Sequence, residues 1–118
     1  MITINKLQDI MNHSKYIVLF GGAGVSTESG IKDFRGKDEL YKENYKIYSP
    51  KTVLSRSFFF EYTRDFYLYF KMHFLNDKIR PNKAHLWLAR AESSGKVKAV
   101  ITQNIDGFHQ LAGFKKCY

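Results

Sequence analysis

The fold is decided by Tyr16-Ile-Val-Leu-Phe20-Gly21-Gly-Ala-Gly24, an apolar run that stops at a cluster of glycines. Consecutive apolar residues with high β propensity are typical of a buried strand in a parallel sheet. The segment Gly21–Gly30 then predicts a tight turn that leads into a short helix. Such a turn directly after a strand presents backbone N–H groups and a helix N-terminus to an anion.

The rest of the chain predicts helices and a second strand. Helices are predicted over Thr3–Asn12, from Ser49-Pro50, over Ser57–Phe74 and over Lys83–Ser94, and a strand is predicted over Val97–Thr102. The helix over Ser57–Phe74 carries a stripe of aromatic residues, which we expect to be a buried core face rather than a pocket wall. Strand, helical crossover and strand together indicate a parallel α/β sheet.

Length and composition set the class of protein. The chain has 118 residues, of which 44% are hydrophobic and 25% charged, which is typical of one globular domain. No apolar run approaches the roughly 18 residues that a membrane span needs, so we expect no membrane partner. The formal net charge is +8, but the basic residues are scattered along the chain. This pattern favours a solvated basic surface over a nucleic-acid-binding patch.

The single cysteine, Cys117, limits the covalent chemistry of the chain. One cysteine cannot form an internal disulfide, and it cannot by itself build a structural zinc site. We therefore expect a reducing, cytoplasmic location and no metal bound by these residues.

The glycine-rich turn resembles only the beginning of a dinucleotide fingerprint. Gly22-Ala-Gly24 fits the start of G-x-G-x-x-G, but Thr27 stands where the third glycine belongs. No acidic residue follows at the end of a clear second strand, which disfavours an ordinary dehydrogenase. Asp33-Phe34-Arg35 follows the turn, and its guanidinium is suited to pairing with phosphate. A purely structural turn and a local Asp33–Arg35 pair are the alternatives.

A polar cluster, Thr102-Gln-Asn-Ile-Asp106, lies at the carboxyl end of the second predicted strand. Ligands of open α/β sheets bind at this end of the strands. Gln103, Asn104 and Asp106 offer donors and acceptors to ribose hydroxyls or to an amide, and capping of the following turn is the alternative.

His85 and His109 are general bases by residue type. Each lies in a helical context beside apolar neighbours. We expect both to be buried, hydrogen-bonded histidines rather than catalytic ones.

Taken together, these segments resemble the sirtuin family of NAD-dependent protein deacylases, and the bacterial members in particular. The resemblance runs from about Tyr16 to the last residue. It rests on Gly22-Ala-Gly-Val-Ser-Thr-Glu-Ser-Gly-Ile-Lys-Asp-Phe-Arg-Gly36, Pro81-Asn-Lys-Ala-His85 and Thr102-Gln-Asn-Ile-Asp-Gly-Phe-His-Gln-Leu-Ala-Gly113. The implied fold is a partial Rossmann-like parallel sheet, the first half of a sirtuin NAD-binding domain, with a helical insertion. Residues 1–118 would thus form an incomplete Rossmann-like domain.

The resemblance implies NAD as the cofactor and two groups of residues that bind it. One group is expected at the phosphates and the adjacent ribose: Ala23, Gly24 and Thr27, with Phe34 and Arg35 on the cofactor loop. The other group is expected at the nicotinamide and its ribose: Gln103, Asn104, Ile105 and Asp106, with Asn104 as a catalytic residue.

The implied reaction converts an acetylated or acylated protein lysine and NAD to lysine, nicotinamide and O-acetyl-ADP-ribose. In the family, the acetyl oxygen attacks the ribose carbon that carries nicotinamide. The physical requirements are positioning and electrostatic stabilisation of a cationic ribose, which suit the polar cluster at 103–106.

The sequence departs from the family pattern in several places. Lys32 stands where proline is usual, and Phe108 stands where leucine is usual. The resemblance places the family's general-base histidine, in a His-Gly pair, a few positions beyond Tyr118. It places the two cysteine pairs of the zinc module and the second half of the NAD site downstream as well. We therefore expect zinc only in a full-length relative and no measurable deacetylation by residues 1–118 alone.

Three interpretations of the chain remain. The first is a sirtuin deacylase cut short. The second is a non-catalytic remnant that binds NAD or ADP-ribose, or one half of a split protein that pairs with a separately encoded second half. The third is a basic nucleic-acid-binding module. The scattered lysines and the lack of a nucleic-acid motif disfavour the third. Two short strands do not make a stable open sheet, and no strand is predicted at Lys116–Tyr118, so the chain resembles the first part of a larger domain.

Overall fold

The structure, a computed structural model, describes residues 1–33, 44–75 and 78–118. Its elements in chain order are α1 (Ile4–His13), β1 (Ile17–Gly21), a 3-10 helix (Ala23–Ser29), α2 (Pro50–Val53), α3 (Arg56–Glu61), α4 (Thr63–Phe74), α5 (Lys83–Ser93), β2 (Val97–Thr102) and α6 (Phe108–Leu111). They form two compact units. The first unit comprises Met1–Gly22 and Lys83–Tyr118, and the second comprises Ala23–Asn82.

Local sequence signals place the helix starts as predicted. Thr3 caps α1, its side chain accepting a hydrogen bond from the backbone N–H of Lys6 at 3.3 Å. Ser49 caps α2 in the same way through the N–H of Thr52, and Pro50 occupies the first turn. The predicted helix over Lys83–Ser94 is α5, and a left-handed glycine follows it at Gly95 (φ 77°).

The first unit is built on a parallel pair of strands, as the sequence predicts. Phe20 of β1 lies opposite Ile101 of β2, and the register is irregular only between Ile17 and Val18. The core combines apolar residues of α5, of β2 and of the segment after α6: Leu88, Ala89, Ala91, Val97, Val100 and Phe114. This core fixes the carboxyl end of β2, where the polar cluster begins.

The strand β1 is only half buried, whereas the sequence predicted a buried strand over Tyr16–Phe20. Ile17 and Leu19 pack against the core of the first unit. Val18 and Phe20 point the other way and are 42% and 68% exposed. Side chains alternate between the faces of a strand, and within the described residues only one face of β1 has a packing partner.

The last three residues pair with β2, although no strand was predicted there. The N–H of Val100 donates to the carbonyl of Lys116 at 3.0 Å, and the N–H of Tyr118 donates to the carbonyl of Val100 at 2.9 Å. The Glu92 carboxylate of α5 accepts the N–H groups of Lys115 at 2.7 Å and of Lys116 at 2.9 Å. Tertiary hydrogen bonds, rather than local β propensity, hold this segment.

The second unit contains two helices where the sequence predicted one over Ser57–Phe74. The break is at Tyr62, whose backbone (φ −126°, ψ 49°) leaves the helical region between α3 and α4. In one continuous helix Phe58 and Tyr69 would lie about 16 Å apart along the axis. With the break, both join a single buried cluster with Val53.

The aromatic stripe is therefore not the continuous buried face that was predicted. Phe58 and Tyr69 are buried, but Phe60 and Tyr67 are 67% and 55% exposed. Edge-to-face contacts join the buried rings to their neighbours, as for Tyr48 and Phe58, whose ring centroids lie 5.0 Å apart.

Within the described residues, no helix is both long enough and apolar enough to cross a membrane.

Candidate functional site

The 3-10 helix carries three of the predicted cofactor-binding residues. Ala23 is half-buried, whereas Gly24 and Thr27 are exposed. The Thr27 hydroxyl donates to the Gly24 carbonyl at 2.9 Å, which ties the first turn together. The helix ends at Gly30, whose φ of 98° is in the left-handed region that favours glycine.

Gly22 and Gly24 differ from Gly30 because neither has a left-handed backbone. A Cβ placed on either residue would meet no atom of the described residues within 4 Å. Neither backbone conformation nor packing among those residues therefore requires glycine at these two positions. Open space beside a glycine backbone is what a ligand needs in order to reach the N–H groups.

The same segment contains a buried hydroxyl group. The Ser29 Oγ is buried, and in the part of the chain that the structure describes it makes no hydrogen bond. Buried polar atoms are normally satisfied, so this hydroxyl is suited to a partner other than the described residues.

In the first unit, the polar cluster after β2 is tied to the end of β1. The N–H of Gln103 donates to the Gly21 carbonyl at 3.2 Å, and the Asn104 Nδ2 donates to the Gly22 carbonyl at 3.0 Å. The N–H of Asn104 also donates to the Thr102 Oγ1 at 3.0 Å. Asn104 is thus held by both strand ends, at the point where the glycine-rich segment begins.

One residue of this cluster, Asp106, caps the following turn, which is the structural role given above as the alternative to ligand binding. The Asp106 Oδ1 accepts the N–H of Phe108 at 2.9 Å at the start of α6. Gln103 and Ile105 are exposed, and Ile105 is 75% exposed. The cluster therefore combines a structural cap with two side chains that face solvent.

His85 and His109 form a buried pair, as predicted from their apolar neighbours. They are 0% and 1% exposed, their ring centroids lie 4.8 Å apart, and Phe108 and Phe114 pack edge-on against them. Burial lowers the pKa of both imidazoles, the His109 neighbour lowers the pKa of His85 further, and Asp106 opposes both shifts.

The predicted hydrogen bonding of this pair is wrong for His109. Neither of its ring nitrogens has a hydrogen-bond partner among the described residues. The contacts of its ring are with His85 and Phe114, which are ring contacts rather than hydrogen bonds. Both rings are almost completely buried, so neither is within reach of a substrate proton, and we place neither histidine in the chemistry.

The predicted site residues fall into three sets. Within the second unit, the 3-10 helix brings together Ala23, Gly24 and Thr27, and within the first unit the turn after β2 brings together Gln103, Asn104, Ile105 and Asp106. Phe34 and Arg35 lie outside the described residues. Within those residues, no group of three or more His, Cys, Asp or Glu side chains could hold a metal ion.

Residues 22–118, from Gly22 to the last residue, match the Sir2 family. The chain belongs to the Sir2 family. Its similarity to the NAD-dependent protein deacetylase of Clostridium perfringens is 48% identity over 116 residues, which is 98% of this chain and 48% of that protein. Its similarity to the NAD-dependent protein deacylase 2 of Archaeoglobus fulgidus is 46% identity over 115 residues, which is 96% of this chain and 43% of that protein. The chain spans about half the length of these curated relatives.

Solved Sir2 structures have the same fold over this length. A Sir2 structure with a p53 peptide and NAD+ superposes with a TM-score of 0.81 at 39% identity, over 98% of this chain and 44% of that one. A Sir2 structure with a propionylated peptide gives a TM-score of 0.80 at 36% identity, over the same shares of the two chains. These matches confirm the predicted family and the predicted partial Rossmann-like α/β fold.

Two contacts of this Sir2 chain were missed by sequence reasoning. The Asn82 Nδ2 donates to the carbonyl of Val25 at 2.7 Å, and Glu92 accepts the two N–H groups described above. In the sequence, Asn82 stands out only as part of the family motif Pro81–His85. No spacing rule links residues 57 positions apart, so only the folded chain reveals the Asn82 contact.

Proposed function

We propose that this chain carries the first part of the NAD site of an NAD-dependent protein-lysine deacylase. The observation that carries the proposal is the open space beside Gly22 and Gly24, in a chain whose Asn104 amide is bonded to the Gly22 carbonyl. The approach of a ligand to the backbone would explain why positions 22 and 24 are glycine, since neither the backbone conformation nor packing among the described residues requires glycine there. Both relatives are named as NAD-dependent enzymes, which supports NAD as the ligand.

The phosphates would be bound at the start of the 3-10 helix. The first N–H groups of such a helix have no partner within it, so those of Ala23 and Gly24 are suited to anionic oxygens. Thr27 would contribute through its hydroxyl oxygen, which keeps acceptor capacity while its hydrogen is bonded to Gly24. Phe34 and Arg35 are proposed to cover the cofactor and to pair with phosphate.

The nicotinamide and its ribose would lie against the cluster after β2. When bound, NAD supplies the ribose carbon from which nicotinamide leaves and to which the acyl oxygen adds. Asn104 would position the ribose, since its own amide is fixed by Gly22. The Asp106 carboxylate would stabilise positive charge on the ribose, and Gln103 and Ile105 would contact the nicotinamide end.

Acetylated or acylated lysines of proteins are the proposed substrates, because Sir2 structures that share this fold were solved with such a peptide. The products would be lysine, nicotinamide and O-acetyl-ADP-ribose. We place the activity in the cytoplasm, since the one cysteine excludes an internal disulfide.

Isothermal titration with NAD, ADP-ribose and nicotinamide mononucleotide tests the proposed site. We expect NAD and ADP-ribose to bind, and nicotinamide mononucleotide, which lacks the pyrophosphate, to bind at least tenfold more weakly, a difference of about 1.4 kcal/mol. Absence of heat with both NAD and ADP-ribose, together with an unchanged melting temperature, would contradict the proposal.

A nicotinamide-release assay separates a catalytic chain from a binding one. The 118 residues contain no His-Gly pair. With NAD and an acetyl-lysine peptide, we therefore expect these residues alone to release no nicotinamide above a protein-free blank. Release above the blank would show that nicotinamide release does not need the histidine of the family's His-Gly pair.

A further inference from the structure

We propose that Asn82 is a positioning residue for the phosphate end of the NAD site. Its side-chain amide holds the 3-10 helix Ala23–Ser29 in the conformation that presents its first N–H groups to the cofactor. The effect on NAD binding rests on the proposed function. The hold of Asn82 on the 3-10 helix does not, and it is tested without any ligand.

The contact is a short hydrogen bond between two parts of the second unit. The Asn82 Nδ2 donates to the Val25 carbonyl at 2.7 Å across 57 positions of sequence, and both residues are half-buried. The Val25 carbonyl lies near the middle of the 3-10 helix. Because the peptide unit is planar, a donor that fixes this carbonyl also fixes the N–H of Ser26.

The 3-10 helix needs support of this kind. It is seven residues long, whereas 3-10 runs beyond three or four residues are uncommon because their hydrogen-bond geometry is poor. Gly24 adds conformational freedom that an ordered helix must remove. At its end the helix is held by the N–H of Gly30, which donates to the Thr27 carbonyl at 2.9 Å. Asn82 acts on the middle of the helix, between Gly24 and that end.

An ordered helix binds an anion more tightly than a disordered one, because the ordering entropy has been lost before binding. Removing one hydrogen bond of this type typically shifts an equilibrium by about fivefold. We therefore expect loss of the Asn82 amide to weaken NAD binding about fivefold. The mechanism is indirect, since Asn82 acts through the Val25 carbonyl.

The variants separate loss of the donor from loss of stability. Asn82→Ala removes the side-chain amide, and Asn82→Asp keeps the size but replaces the N–H donor with a carboxylate oxygen. The matched control is Ser55→Ala, which removes the hydrogen bond from the N–H of Phe58 to the Ser55 Oγ (3.2 Å) at the start of α3. We expect this control to destabilise the second unit as well, but at α3, since the hydrogen bonds of the Ser55 hydroxyl join it to Thr52, Ser57 and Phe58.

Two measurements are made on the full 118-residue chain. The first is amide hydrogen exchange without ligand, where we expect both Asn82 variants to exchange the Ser26–Ser29 amides about fivefold faster, and Ser55→Ala to accelerate α3 amides only. The second is titration with NAD, where we expect about fivefold weaker binding for both Asn82 variants and unchanged binding for Ser55→Ala.

The outcomes distinguish this inference from the proposed function. Unchanged exchange of Ser26–Ser29 in the Asn82 variants overturns the inference whatever NAD does, and so does exchange in Asn82→Asp that equals wild type. Faster exchange with unchanged NAD affinity overturns the positioning role. If wild type itself does not bind NAD, the proposed function fails, and the exchange result alone then decides whether Asn82 holds the helix.

Discussion

The two units of this chain are stabilised in different ways. The first has a core of six buried apolar residues, mostly aliphatic, around its parallel strands, whereas the second has a buried cluster of three, Val53, Phe58 and Tyr69, surrounded by half-buried aromatic rings. Asn104 is positioned in the first unit and the 3-10 helix in the second. One group of predicted cofactor-binding residues therefore lies in the unit with the larger, aliphatic core, and the other lies in the unit with the smaller, aromatic cluster.

The largest expected effect compares one phenylalanine from each core. Phe114 in the first unit and Phe58 in the second are both 3% exposed. We expect Phe114→Ala to lower the free energy of unfolding by about 3–5 kcal/mol, and Phe58→Ala by only about 2–3 kcal/mol, because a small core with half-buried neighbours can close around the cavity.

Urea unfolding followed by circular dichroism measures both losses, and the fluorescence of Trp87, the only tryptophan, reports on the first unit. A loss for Phe58→Ala that equals or exceeds the loss for Phe114→Ala would remove the distinction between the two cores.

The next effect concerns Glu92, an exception to the rule that packing holds the first unit. Its carboxylate accepts the N–H groups of Lys115 and Lys116. We expect Glu92→Ala to cost about 1–2 kcal/mol and to speed exchange of those two amides, because charged acceptors make stronger hydrogen bonds. Glu92→Gln keeps an acceptor oxygen and should lose less. Equal stability of Glu92→Ala and of the surface control Glu28→Ala would contradict this assignment.

The two units should also differ in their response to acid. The folded pKa values of His85 and His109 lie below the ordinary value of 6.5 because of burial. The unfolded chain then binds protons that the folded chain does not, so the free energy of unfolding falls as the pH drops from about 7.5 to about 5.5. Thermal unfolding over this range checks the slope.

The double variant His85→Gln, His109→Gln should flatten that slope, because it removes both buried imidazoles. A double variant with the wild-type slope would show that other groups titrate.

The smallest effect is expected from the surface pair of the second unit. Lys46 Nζ lies 2.7 Å from Asp65 Oδ1, and this hydrogen bond lowers the pKa of the Asp65 carboxyl. The pair therefore stabilises the folded chain above about pH 4, and this contribution is lost as the pH falls through the lowered pKa. Because the Lys46 side chain is 57% exposed, we expect Lys46→Met to change the melting temperature by no more than the error at pH 7. A clear drop would mean that this pair matters as much as the cores.

Sequence reasoning succeeded where the signal was local. The caps at Thr3 and Ser49, and the parallel strands, follow from short patterns that the fold leaves unchanged. It failed where distant residues decide the structure. The break at Tyr62 depends on Phe58 and Tyr69 joining one cluster, and the exposure of Phe20 depends on which face of β1 has a packing partner.

The candidate site divides in the same way. The family motifs predict cofactor-binding roles for Gly24 and Asn104, because long matching segments fix their positions in the motif, and these roles stay predictions. The supporting contacts of Asn82 and Glu92 could not be predicted, since they join residues 57 and more than 20 positions apart. The assignments of Phe34 and Arg35 remain predictions.

The central claim is that glycine at position 24 leaves room for NAD. Titration of wild type, Gly24→Val and Glu28→Val with NAD tests it most directly. Both variants place valine in the 3-10 helix, but of these two positions only Gly24 is a glycine with open space beside its backbone. We expect Gly24→Val to weaken NAD binding by at least about tenfold, with a melting temperature close to that of Glu28→Val, and we expect Glu28→Val to bind NAD as wild type does. Equal NAD affinity in wild type and Gly24→Val would contradict the account.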